Sequence, residues 1–408
     1  MTQMPMLSLL CSCAVFAQTV SDGGFVVPSR LKDPPIATAK ALPPQFDLLT
    51  LASKGEDGRL FAPYKEGSQA LTINAPLQKE LTDLLKQYQT PYAAVVAIEP
   101  STGRVLAMAE HSEADPSMRG LCTRALYPAA SIFKIITASA LLENGVSPEA
   151  TTCFHGGKRK LTPKLLENNA DKDAYCDTMA MAMASSHNVV FAKLAQQHLD
   201  AAKLLAMARA WRFNTEVAFP IPVDVSMAGI PDDGFGLAQA GAGFGDVFLS
   251  PLHGALVASA AANGGVWRPP VLFECDVPSD PGPGERLMSE KAATHLQAML
   301  AETVQSGTAR RIFHERHFTL SDAAGKTGSL ADKKPFRDYS WFVGYAPASD
   351  PKVAVAAVIV NDPNWRIRAT WLGREAMRLY LSRSAQRGPV RGTVENATAP
   401  RAPEAEKR

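Results

Sequence analysis

The stretch YPAASIFKIITASALLE, residues 127–143, decides how this chain is read. Ser131 and Lys134 stand three apart in it, so on a helix both side chains lie on one side. Ile132, Phe133, Ile135, Ile136, Ala138, Ala140, Leu141 and Leu142 leave almost no polar face, which is the pattern of a helix buried all round. Pro128 fits a first helical turn and Asn144-Gly145 a C-terminal stop. Ser131 is therefore expected in the first turn, where free N–H groups and the helix dipole favour negative charge. Desolvation penalises a charged lysine, so an unprotonated Lys134 is expected to take the Ser131 proton and leave a nucleophile for acyl transfer. A helix-start serine and a lysine reaching for the surface would give the same spacing without chemistry. A second Ser-x-x-Lys, from Ser29 to Lys32, runs directly into Asp33-Pro34-Pro35 and so is excluded from a buried helix.

Two further motifs follow in order. Ser186-His187-Asn188 falls between the helical runs DTMAMAMAS and VVFAKLAQQHL, and Lys326-Thr327-Gly328-Ser329 precedes SWFVGYAP. The ordered trio is the signature of penicillin-binding proteins and serine β-lactamases. With the flanking segments LTINAPLQ, AVVAIEPSTGRVLAMAE and SPLHGALVASAAANGG, residues from about 71 to 381 resemble the transpeptidase domain of penicillin-binding proteins. The resemblance implies an α+β fold, an α/β sandwich with an antiparallel sheet flanked by helices plus an all-helical subdomain. It implies a peptidoglycan D,D-transpeptidase, acylated by D-Ala-D-Ala stem peptides and by β-lactam antibiotics, with no cofactor.

Roles follow residue by residue from the same resemblance. Ser131 is the nucleophile and Lys134 its base. Ser186 relays a proton to the leaving group, and the Asn188 amide binds substrate backbone and the Lys134 side. Lys326 and Thr327 meet the substrate carboxylate, Gly328 lines the binding strand, and the backbone N–H groups of Ser131 and Ser329 form an oxyanion hole. His187 fills the variable middle place as a pocket wall. A D,D-carboxypeptidase or a β-lactam sensor with slow turnover would keep the same motifs. A β-lactamase would need a deacylating base, and there is no Glu-x-x-x-Asn after Ser186. The family often carries Gly-Gln-Gly where this chain has Gly243-Phe244-Gly245, which leaves that loop's part in the site open. The same Gly-rich run lacks phosphate-loop spacing, and Leu320 stands where a Walker loop ending at Lys326-Thr327 would need glycine.

Outside the motifs, the composition of the 408 residues is that of a protein with a sizeable core, and a net charge of +2 without a basic block argues against nucleic acid as a partner. Residues 4–17, MPMLSLLCSCAVFA, are too short for an ordinary membrane span and read as a secretory h-region ending at Val15-Phe16-Ala17, although no Lys or Arg precedes them. The expectation is a leader over 1–17 and export to the periplasm or cell envelope, with a lipid anchor at Cys13, and thus inner-membrane association, left open. Residues 18–70 read as a tether or wrapping arm, 71–383 as the transpeptidase domain and 384–408 as a disordered tail. Of Cys122, Cys153, Cys176 and Cys275, the pairing expected is Cys153 with Cys176, bracketing HGGKRKLTPKLLENNADKDAY. No metal site is expected, since Cys-x-x-Cys spacing is absent after the leader and His155 is isolated.

The coarse elements are predicted as a helix over 76–88, a hairpin from 92–100 and 104–110, an irregular lead-in over 109–125, and an amphipathic helix over 289–306 stopped by Gly307. Strands over 339–346 and 353–360 would put residues 326–329 at the start or edge of an antiparallel sheet, where an extended peptide can add by backbone pairing. Asn188 is able to cap the second of its two flanking helices, which is the alternative to its role in the site, and residues 374–381 are predicted to form a closing helix.

Overall fold

Strands β1 (Tyr92–Ile98) and β2 (Val105–His111) form the predicted hairpin, and β3 (Ala324–Lys333), β4 (Phe336–Ala346) and β5 (Val353–Asn361) complete one five-stranded antiparallel sheet in the order β3-β4-β5-β1-β2. This is a computed structural model, and it describes residues 52–387 apart from 66, 318, 334–335 and 364–365. The expected leader, the possible anchor at Cys13, residues 18–51 of the arm and the tail beyond 387 lie outside the described residues.

The near-continuous apolar runs of β1 and β5 follow from burial on both faces. Side chains alternate between faces along a strand. Ala94, Val96, Ile98, Ala354, Ala356 and Val358 enter one core, while Ala93, Val95, Ala97, Val353, Val355, Ala357 and Ile359 enter another. A one-residue slip would exchange the two sets, so the register Val358 opposite Ala94 is strongly specified.

Helices cover both faces. α1 (Ala75–Gln87) starts where the Asn74 side chain accepts from the Leu77 amide, and buries Leu77, Leu81 and Leu85 in the second core. The structure then has α2 (Lys134–Glu143), α3 (Met179–Ser185), α4 (Asn188–His198), α5 (Ala201–Ala210) and α6 (Gly234–Gly241), the helical subdomain. Next, α7 (Pro251–Ala262) begins at the Ser250 cap with Pro251 in its first turn, and every one of its residues is buried, against the first face of the sheet. α8 (Glu290–Gln305) is capped by Ser289 and ends before Gly307, as its sequence predicts. α9 (Ala369–Arg387) closes the second face with Leu372, Ala376 and Met377, and runs longer than the predicted 374–381.

Two local expectations change. The first is the helix start around Ser131. Pro128 lies in a two-residue strand, Tyr127–Pro128, paired with Val247–Leu249, and not in a helical turn. Ala130 then takes a left-handed φ of 48°, a 3₁₀ turn spans Ala130–Phe133, and the α-helix starts only at Lys134. Regular right-handed helix does not run through a left-handed residue, so the strand is broken from the helix there.

The second change concerns the arm. Its described portion is folded: Ser53–Lys54, Leu60–Tyr64 and Gly67–Ala70 make a three-stranded sheet, and Tyr64 stacks on Phe273 at 3.8 Å. Cys153 and Cys176 are joined, linking the strands Thr151–Phe154 and Tyr175–Thr178, while Cys122 and Cys275 form no disulfide among the described residues. Among the described residues no helix is long and apolar enough to cross a membrane, and no group of side chains is suited to a metal ion.

Candidate active site

Lys134 opens α2 with its side chain fully buried. Its Nζ lies 2.8 Å from Ser131 Oγ, and it donates to Asn188 Oδ1 at 2.6 Å and to the Ala242 carbonyl at 2.9 Å. Burial, and after it the charge of Lys326, hold its pKa well below the usual lysine range. An uncharged amine has two N–H groups and one lone pair. The oxygens of Asn188 and Ala242 take the two N–H groups, so the lone pair is left to accept the Ser131 proton.

Asn188 does not cap its helix. His187 stands at the cap position of α4 without a side-chain capping bond, and Asn188 is the first helical residue. The open amides of Asn188 and Val189 donate to the carbonyls of Lys158 and Gly157 at 3.3 and 3.1 Å, which satisfies the helix end from outside. The Asn188 side chain is thereby free for the site: Oδ1 receives Lys134 and Nδ2 donates to the Arg159 carbonyl at 2.9 Å. Ser186 is left-handed at φ 58° and ψ 42°, and turns α3 into α4. His187 lies beside the Asp177 carboxylate and edge-on to the Phe154 ring, with burial as the main cause of its lowered pKa.

β3 is an end strand of the sheet and carries the third motif. Lys326 has no exposed surface, and burial pushes its ammonium down to about 7. It donates to the Thr327 carbonyl at 2.9 Å. Thr327 shares a 2.6 Å hydrogen bond with the Thr308 hydroxyl. At Gly328 an added Cβ would come within 3.2 Å of the Ile132 side chain, so the missing side chain lets β3 lie close against the turn bearing Ser131. Ser329 is exposed on the same strand, opposite Ser340 of β4.

The structure thus bonds Lys134 to both Ser131 and Asn188, brings the Lys326 charge to bear on Lys134, and sets residues 326–329 along the Ser131 turn. The sequence left open the part played by the loop after α6, Gly243-Phe244-Gly245. At Gly243, whose φ is +90°, a Cβ would sit 2.1 Å from the Ala130 carbonyl oxygen and 3.2 Å from the Ser131 nitrogen. The loop therefore presses on the peptide of Ser131 while the Ala242 carbonyl holds Lys134. The signal was the pair of glycines flanking Phe244, but spacing alone does not say which backbone they approach.

Residues 93–373 match the family described as penicillin binding protein transpeptidase domain. The chain belongs to that family. It is 32% identical over 320 residues to the peptidoglycan D,D-transpeptidase PbpA of Mycolicibacterium smegmatis, which covers 68% of this chain and 63% of that protein. It is 25% identical over 359 residues to stage V sporulation protein D of Bacillus subtilis, covering 81% of this chain and 54% of the relative. This transpeptidase domain therefore spans only part of those relatives' length. In fold it is similar to the D,D-transpeptidase domain of a peptidoglycan glycosyltransferase from Eggerthella lenta, with a TM-score of 0.63 at 24% identity over 82% of this chain and 95% of the other. It is also similar to PBPA from Mycobacterium tuberculosis, with a TM-score of 0.60 at 23% identity over 78% and 80%.

Proposed function

We propose that the protein is a peptidoglycan D,D-transpeptidase that forms an acyl-enzyme on Ser131. The observation that carries this reading is the fully buried Lys134 Nζ at 2.8 Å from Ser131 Oγ, held by two carbonyl acceptors that leave its lone pair for the hydroxyl. Lys134 takes the Ser131 proton as Oγ attacks the penultimate carbonyl of a D-Ala-D-Ala end. The C–N bond breaks and D-alanine leaves with a proton passed through Ser186. The oxyanion is held by the N–H groups of Ser131 and Ser329, and loss of such a donor typically costs about 10² to 10³ in rate. An amine of a neighbouring stem peptide then attacks the ester, releases Ser131 and completes the cross-link.

The substrate is read as an extended peptide that adds along β3, with its terminal carboxylate at Lys326 and Thr327 and its backbone at Asn188. β-Lactams fit the same path as carboxylate-bearing acyl donors. The similar M. tuberculosis protein is known as acyl-enzyme complexes with penicillin G, imipenem and ceftriaxone, which supports that extension. The Cys153–Cys176 bond supports action in an oxidising compartment, the cell envelope outside the cytoplasm.

Labelling by a fluorescent penicillin, abolished in Ser131→Ala, is the expected result, together with release of D-alanine from a D-Ala-D-Ala peptide that rises when an amine acceptor is added. Label retained in Ser131→Ala would overturn the assignment of the nucleophile. D-Alanine release indifferent to the amine would make the enzyme a carboxypeptidase, and label without release a sensor.

A further inference from the structure

Residues 155–174, the polar insert between the two cysteines, belong to none of the three motifs, yet they touch the site directly. The Arg159 carbonyl accepts from Asn188 Nδ2, and the Lys158 and Gly157 carbonyls close the N-terminus of α4. The insert is in turn tied down. The Cys153–Cys176 bond closes its ends, and His155 bonds Asp173 across it. From α4 itself comes Lys193, only 1% exposed, which donates to the Cys153 carbonyl at 2.9 Å and to Asn168 Oδ1 at 3.1 Å, with the Asp173 carboxylate 3.6 Å away. A buried ammonium is costly unless its contacts do something for the fold or the site, and the acylation chemistry makes no use of this one.

We propose that the insert is a positioning clamp for the Lys134 base, with Lys193 as its positioning residue: by pinning the Arg159 carbonyl it fixes which end of the Asn188 amide faces Lys134. An asparagine side chain is nearly symmetric in shape and opposite in chemistry at its two ends. With Nδ2 engaged by Arg159, Oδ1 must face Lys134 and accept from it. Were the amide turned over, Nδ2–H would point at Nζ and compete for the lone pair that takes the Ser131 proton. It would also repel the ammonium form, so the base would titrate at lower pH and be weaker. The disulfide and Lys193 act on the reaction only through this amide.

The proposal rests on the acylation reading, and its test keeps the two apart. Second-order acylation by a fluorescent penicillin is measured against pH for the full chain, for Lys193→Met and for Cys153→Ala/Cys176→Ala, with circular dichroism and thermal unfolding alongside. Both variants should acylate about ten- to hundredfold more slowly, the cost of a small misplacement at a reacting group. The acid limb of their pH profiles should move to lower pH. A purely structural loss would lower stability or active fraction and leave that limb in place, and would overturn the proposal, as would unchanged constants in folded variants. Should Lys193→Met not fold, the cysteine variant carries the test with the α4 core intact. Absence of label on the unaltered protein would instead overturn the acylation reading, and this proposal with it.

Discussion

A lysine without exposed surface stays charged only while something nearby stabilises the charge, and Lys326 stands near that balance, with its ammonium at about 7. In the free protein its charge is present below that pH and fades as pH rises through it, whereas an arriving carboxylate favours the charged form. In the proposed mechanism Lys134 acts as a neutral amine, so acylation should rise with pH through its lowered pKa and fall again as Lys326 discharges. The second-order constant for a penicillin should therefore be bell-shaped in pH, with an alkaline limb that begins near neutrality. In Lys326→Arg the guanidinium keeps its charge, so the alkaline limb should disappear while the maximum drops. Stopped-flow acylation between about pH 5 and 10 checks this. The same alkaline limb in both enzymes would remove Lys326 from the role.

At the scale of elements, the site depends on a loop being able to lean on a turn. An alanine at Gly243 would put its Cβ against the Ala130 carbonyl, which is backbone and has little freedom to move aside. The loop must retreat and take the Ala242 acceptor with it, so Gly243→Ala should lose about 10²-fold in acylation while remaining folded. Gly245 is the internal control. Its φ is also positive, at +86°, but an added Cβ there meets nothing within 4 Å. Gly245→Ala should cost about 1–2 kcal/mol in backbone strain and leave acylation nearly intact. Equal losses of acylation in both would mean strain alone is at work.

These contacts mark the boundary of what local sequence can say. The β1–β2 hairpin, α8 between Ser289 and Gly307, and the Lys-Thr-Gly strand at the sheet edge were legible, because caps, turns and period-two runs are written in neighbouring residues. That Ser131, Lys134 and Asn188 come together was legible only from their motifs, not from local pattern. Pro128 misled because a proline suits a short strand next to a turn as well as a helix start, and only pairing with Val247–Leu249 decides. For Asn188 the sequence left a helix cap as an alternative to the site, and the choice is made by carbonyls some thirty positions earlier in the chain, at Gly157 and Lys158, which satisfy the helix end and free the side chain for Lys134.

Over the whole molecule, the two cores on either face of the sheet leave little room for charge, and His253 on α7 shows what that implies for acid stability. Its Nε2–H donates to the Trp211 carbonyl at 2.7 Å, and burial pushes its pKa to about 4. In the unfolded chain the ring takes a proton near its ordinary 6.5. The folded state therefore loses stability as pH falls from about 6.5 toward about 4, because the unfolded chain binds the proton first. The loss is of order 3 kcal/mol by pH 4. His253→Gln keeps a donor for Trp211 and has no proton to gain, so urea unfolding at pH 7 and pH 5 should show a shallower pH dependence in the variant. Parallel slopes would mean that other groups govern acid stability.

The position of β3 at the end of the sheet has one more outcome. A strand with only one neighbour presents amides that trade their hydrogens with solvent, and a peptide laid along it would become a sixth strand. Deuterium uptake followed by mass spectrometry should then slow across residues 326–330 once a peptide-like acyl donor is bound, while the opposite margin of the sheet at β2 keeps its original rate.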